Sequence, residues 1–212
     1  MITEFLRRTG IDMPSFDATI FGIEVDELAR AEVQTWNVGN VSRRRLDHHV
    51  VTGIDVAKTT YKHTSIETQV HIALWTALCV CVDDFEMDRA AIAQFAERFH
   101  GGREQLHPLL DLLAEKCRRM HEFFHSYGAA TIAANTVQFV ACTLFDKEAE
   151  TLEVHPVARE YPLYKRVRNG IGEGYSYCIW DKAQFPDVST HIQVIPYVPP
   201  SSGRVHVADC YL

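Results

Sequence analysis

Three aspartates close an apolar run in the stretch 79–88, CVCVDDFEMD. Asp83, Asp84 and Asp88 read D-D-x-x-x-D. Carboxylates packed this closely repel, so the group is stable mainly with a cation. Hard oxygen donors suit Mg2+, which keeps several waters and bridges to the phosphates of a substrate. On a helix, Asp84 and Asp88 lie four apart and share a face, with Asp83 at its edge. The apolar run places such a metal at the mouth of a greasy cavity. A ligand with a diphosphate head and a hydrocarbon tail fits that layout. Acidic residues at a helix end are also what solvation alone would place there, and spacing does not separate the two readings.

A second stretch competes. His121, Glu122 and His125 form H-E-x-x-H within RRMHEFFHSYG. On a helix the two histidines would sit one turn apart, able to chelate zinc with the glutamate as general base. Gly128 falls where the longer zinc-protease pattern wants a glycine, but Thr131 stands where its third histidine belongs. Glu148 and Glu150 are the only near candidates for a later glutamate ligand, and they sit in an apparent helix that follows directly from Gly128. The motif lacks the context that a zinc hydrolase requires.

The elements that position these residues are predicted to be helices. The run 66–82, IETQVHIALWTALCVCV, is apolar all round in its second half, as a helix in the middle of a bundle would be. Thr64 and Ser65 suit its N-cap. Further helices are predicted over 17–36, 89–100 (stopped by Gly101 and Gly102), 109–127 and 129–152. The next begins at Pro162 and runs to about Trp180, broken by Gly170, Gly172 and Gly174. The charged stretch 42–49, SRRRLDHH, is expected to be solvated surface, and helical patterning collapses after Phe185.

Of 212 residues, 47% are hydrophobic and 23% charged, the composition of a chain with a real core. The net charge of −7 argues against a general nucleic-acid binder. The six cysteines form no C-x-x-C pair, and the N-terminus lacks the pattern of a signal peptide, so a reduced, cytoplasmic chain is expected. The apolar stretch 72–82 is shorter than the roughly 20 residues a bilayer needs. The stretch 129–145 is interrupted by Asn135, Thr136 and Gln138. Both read as buried core helices rather than membrane spans.

The residues 101–108 (GGREQLHP), 161–172 (YPLYKRVRNGIG) and 179–186 (IWDKAQFP), in order after the aspartate motif, resemble the fungal class I terpene synthases of the trichodiene synthase type. The resemblance covers roughly residues 65–197. It implies an all-α fold, the isoprenoid synthase helical bundle, incomplete at the C-terminus. Residues 1–64 would be weakly assigned N-terminal helices, 65–197 a partial synthase core and 198–212 a divergent non-helical tail.

The implied activity is Mg2+-dependent ionisation and cyclisation of farnesyl diphosphate to a sesquiterpene. The implied catalytic residues are Asp83, the main metal ligand, with Asp84 and Asp88 in support, and Arg166, the diphosphate sensor. Asn169 and Gly170 would be the linker and helix break beside the substrate. Trp75, Phe139 and Trp180 are candidates for stabilising a cation through their ring faces, or ordinary core.

The resemblance also implies a second metal motif, N-D-x-x-S-x-x-x-[KR]-E, after 191–197. The sequence there reads VPPSSGRVHVADCYL. The expectation is a truncated chain with half a metal cage and weak or no turnover. An exposed apolar face would favour self-association, a homodimer among the outcomes. Two alternatives stand beside the cyclase: a catalytically dead helical protein that binds diphosphates or partners, and, more distantly, a zinc hydrolase through HEFFH.

Overall fold

A computed structural model of the chain describes residues 22–149, 151–169 and 171–189. Among these residues the ordered elements are helices: α1 (Glu24–Thr35), α2 (Arg43–Thr60), α3 (Ile66–Asp84), α4 (Arg89–His100), α5 (Pro108–Phe123), α6 (Ser126–Ala149), α7 (Tyr161–Asn169) and α8 (Gly172–Tyr177). No strand occurs among them, only an isolated bridge between Phe124 and Asp181. The all-α expectation holds.

The bundle is arranged around α3. Ser65 caps it, its Oγ accepting the Thr68 N–H at 3.2 Å. Every residue from 68 to 79 is then buried. A helix with no polar face must be enclosed, and α1, α2, α5 and α6 all pack on α3. Lys116 and His71 find partners in this interior, whereas the buried Gln105 amide finds no hydrogen-bond partner among the described residues. Lys116 of α5, 1% exposed, pairs with Glu32 of α1. His71 stacks on Phe123 with ring centroids 4.4 Å apart. Burial, with the Lys116 charge behind it, pushes the His71 pKa down to about 3. The ring is therefore neutral, and Nε2 donates to the Lys116 carbonyl at 3.0 Å.

Four local expectations change. The stretch 42–49 is not merely solvated surface but opens α2, capped by Ser42. Its charges dominate the composition, yet Leu46, His49, Val50, Gly53, Ile54 and Ala57 recur at helical spacing and are buried. Helix α5 stops at Phe123 rather than near Tyr127. Phe124 is extended, and the Lys182 N–H donates to the Phe123 carbonyl at 2.9 Å. A partner from a distant segment thus replaces the next helical turn. The helix expected over 162–180 ends at Tyr177 instead, and the break expected at its glycines falls beside Ile171, whose φ of 46° lies in the left-handed region, parting α7 from α8.

The fourth change concerns α6. By length and apolar content α3 and α6 could each cross a membrane. Helix α3 is enclosed by its neighbours, but α6 is buried on one side only, with Ala130, Ala134 and Ala141 exposed. Among the described residues nothing covers its other side, so it is only in part the core helix expected.

The α2–α3 contact is the closest in the bundle. A Cβ on Gly53 would lie 2.1 Å from the Ala73 carbonyl oxygen and 3.1 Å from the Ala77 nitrogen. These are backbone atoms of the central helix and cannot step aside. Gly53→Ala is therefore expected to destabilise the fold by about 3 kcal/mol through overpacking. Urea denaturation checks this; an unchanged midpoint would mean that the two helices are not held this close.

Candidate functional site

The last turn of α3 carries Asp83 and Asp84 and no basic residue. Two carboxylates at the negative end of a helix dipole are unfavourably placed. The surrounding elements respond to this in two directions, because successive helical residues project about 100° apart.

Asp84 turns toward α2. Its Oδ2 lies 3.3 Å from His49 Nε2, and a guanidinium nitrogen of Arg45 donates to its backbone carbonyl at 2.7 Å. Arg45 also lies over the Phe85 ring, 4.4 Å from its centroid. Burial holds the His49 pKa below its usual value, with Asp84 pulling the other way.

Asp83 turns toward α6 and α7. Its side chain reaches solvent, but the protein around it strips away enough water to raise its pKa to about 6. The negative charges of Asp146 and Asp84 push in the same direction, and the Arg166 guanidinium opposes them. Two residues 83 positions apart in the sequence, Asp83 and Arg166, are thus within electrostatic reach of each other.

Asp88 does not share a helical face with Asp84. Helix α3 ends at Asp84, Phe85 is extended, and Asp88 begins α4 as its N-cap, Oδ1 accepting the Ala90 N–H at 2.7 Å. The four-residue spacing is real, but a chain reversal occupies it. The end of α6 braces that reversal: Lys147 Nζ donates to the Met87 carbonyl at 3.3 Å, and Glu148 pairs with Arg89.

Helix α7 presents Arg166, half-buried, toward this corner. Lys165 Nζ lies 2.9 Å from Asp146 Oδ1, and the Asn169 amide lies 3.3 Å from Oδ2 of the same carboxylate. Gly170 lies outside the described residues. Beyond it, α8 packs on α3 through Tyr175, whose ring centroid is 4.9 Å from that of Trp75.

Sequence reasoning missed Asp146, Lys165, Arg45 and His49. A signal existed for Asp146. Helices α3 and α6 both run apolar and then meet a carboxylate, at Val82-Asp83 and at Phe145-Asp146. For Arg45 and His49 no local signal exists, because only the packing of α2 on α3 brings them to Asp84.

The aromatic candidates divide. Trp75 is fully buried, its Nε1 donating to Thr136 Oγ1 at 3.0 Å, and Phe139 is buried in the core. Both read as core side chains. Trp180 packs half-buried at the core's edge.

The zinc arrangement does not form. His121 lies in α5 with its Nδ1 2.6 Å from the Arg118 carbonyl, Glu122 pairs with Arg119, and His125 lies past the end of the helix, its Nε2 2.8 Å from the Phe185 carbonyl. Among the described residues no cluster of three His, Cys, Asp or Glu side chains is placed to hold a metal.

The corner nonetheless fits Mg2+, which usually takes only one or two carboxylates and completes its shell with water and substrate phosphate. Asp83 offers a hard oxygen donor in a region of surplus negative charge. Arg166 is within electrostatic reach of it for an anion, while Lys165 is taken up by Asp146.

The raised Asp83 pKa has a defined sign. Its folded value, about 6, lies above the ordinary value of 3.8, so the fold favours the protonated form. Stability is fully present below the lower value and falls as pH rises to about 6. Without divalent cation, Asp83→Asn is expected to be more stable than the parent at pH 8 and equal to it at pH 3. Thermal melts across that range check this; a difference independent of pH would remove the electrostatic account.

The profile of the family described as Trichodiene synthase (TRI5) matches residues 29–205. Terpene synthase 29 of Postia placenta is 34% identical over 159 residues, 73% of this chain and 46% of that protein. Monoterpene synthase 25 of the same fungus is 30% identical over 199 residues, 92% of this chain and 58% of that protein. Trichodiene synthase of Fusarium poae is 23% identical over 156 residues, 73% and 41%. The chain spans about half the length of the curated relatives it matches. A helical bundle with an aspartate pair closing its central helix, matched over most of its length by this profile, belongs to the trichodiene synthase family of terpene synthases.

Proposed function

We propose that this chain carries the aspartate half of a Mg2+-dependent site for an allylic diphosphate, and that the site serves ionisation and cyclisation of farnesyl diphosphate to a sesquiterpene. The observation that carries the reading is the corner at the end of α3, where Asp83 lies within electrostatic reach of Asp146 and Arg166 and Asp146 pairs with Lys165.

Asp83 would hold Mg2+, with Asp84 and Asp88 able to join only if His49 and the α4 cap release them. The ion supplies Lewis-acid charge withdrawal from the leaving diphosphate. Arg166 supplies a planar fork of donors for two phosphate oxygens, a geometry that lysine lacks. Asn169 follows that arginine at the end of α7 and, with Gly170 next in the sequence, would carry the substrate signal toward α8, which packs on Trp75. The apolar side chains of α3 and α6 would form a wall from which water is excluded while the carbon chain reacts.

A second reading concerns chain length. A relative named as a monoterpene synthase matches 92% of this chain, which favours a ten-carbon substrate as the competitor to the fifteen-carbon one.

The test is calorimetric titration with farnesyl diphosphate and with the ten-carbon geranyl diphosphate, each with and without Mg2+, followed by headspace analysis for hydrocarbons. Binding is expected to require Mg2+ and to weaken at least about tenfold in Asp83→Asn and in Arg166→Ala, the loss of a charge-assisted contact. Binding indifferent to the metal and to both substitutions would sink the proposal. Binding without hydrocarbon would leave a diphosphate-binding chain and remove the cyclase.

A further inference from the structure

Helix α7 carries the arginine of the site, yet little holds it in place. It is nine residues long, and none of its residues is fully buried. Leu163, Tyr164 and Val167 are 46%, 54% and 65% exposed, so its apolar side chains do not fix its rotation. A helix this short is marginal in water without tertiary support. One group on α6 supports it at two places. Asp146 lies 2.9 Å from Lys165 Nζ through Oδ1 and 3.3 Å from the Asn169 carboxamide through Oδ2, an amide that when turned over donates to the Lys165 and Arg166 carbonyls at 3.0 and 3.2 Å. Lys165 and Asn169 are four apart, one turn, on the same face of α7. Two contacts one turn apart fix both the position of a helix and its rotation about its own axis. Both side chains of the Lys165–Asp146 pair are about one-third exposed, so the pair orients α7 more than it stabilises the fold.

We propose that Asp146 is the positioning residue for α7: its carboxylate grips Lys165 and Asn169 together and thereby sets the direction in which Arg166 faces. Arg166 is the neighbour of Lys165, so a helix held at 165 and 169 turns residue 166 toward Asp83. The same charge keeps the flanking Lys165 engaged, leaving Arg166 as the cation offered to an anion at the mouth of the site. What Arg166 then binds rests on the diphosphate reading above; the grip itself does not.

The experiment has two readouts. Hydrogen–deuterium exchange with mass spectrometry follows the α7 amides in the parent chain and in Asp146→Ala, Asp146→Asn and Asp146→Glu. Exchange in α7 is expected to speed up about tenfold in the alanine variant, with α3 and α5 unchanged, and to be restored in part by glutamate. Asparagine keeps the shape without the charge and serves if alanine does not fold. Unchanged α7 exchange in both would overturn the proposal.

The second readout is titration with inorganic pyrophosphate in Mg2+. Asp146→Ala is expected to weaken binding in the parent but to have no further effect in an Arg166→Ala background. Equal losses in both backgrounds, or tighter binding through a freed Lys165, would overturn the claim that Asp146 acts through Arg166. A parent chain that binds no pyrophosphate, yet loses α7 protection in the alanine variant, would fail the diphosphate reading and uphold the grip.

Discussion

The structure depends on the enclosure of a helix that is apolar on every side. Residues 68–79 of α3 expose almost nothing, so at least four helices must surround them. That requirement explains the close approach at Gly53, where α2 lies against α3 backbone to backbone. It also explains why the buried cation Lys116 comes with Glu32, and why His71 is neutral with its ring proton given to a carbonyl. A charge in this interior without such a partner would cost several kcal/mol. The polar exceptions are consequently few and specific.

The same helix creates the site by ending where it does. A dipole's negative end, two carboxylates and a third from α6 meet at one corner. The fold tolerates this by dividing the charges. Asp84 is turned to His49 and Arg45, Asp146 is engaged by Lys165 and Asn169, and Asp83 is left facing Arg166 with its proton held more tightly than usual. Surplus negative charge that the protein does not itself neutralise is a binding surface for cations. This is the physical link between a structural helix and the cation binding proposed for it.

Helices α7 and α8 show a different balance. They are short and joined at a left-handed Ile171, a costly conformation for a β-branched residue. Asp181 secures the chain after them from below: fully buried, it accepts from the Ser65 N–H at 3.3 Å at the start of α3 and from the Gln184 N–H at 3.0 Å. The segment is thus tied to the start of the central helix by Asp181 and to α6 through Asp146. A ligand that alters one tie acts on an element with little packing energy of its own.

By itself the sequence determined the class of fold and the point at which two carboxylates emerge from it. The run 66–82 has no polar face, so it must be a core helix, and Asp83-Asp84 must emerge where it stops. Ser65, Pro108 and Gly101 mark helix ends through local backbone chemistry, which needs no knowledge of the rest of the chain. The tertiary structure decided the rest. The reversal at Phe85, the end of α5 at Phe123 and the burial inside 42–49 all depend on partners supplied by distant segments. Asp146 and His49 belong to the site only through helix packing. Contacts between residues far apart in the chain leave no periodic trace in it, and those contacts separate Asp83 from Asp88 and bring it to Arg166.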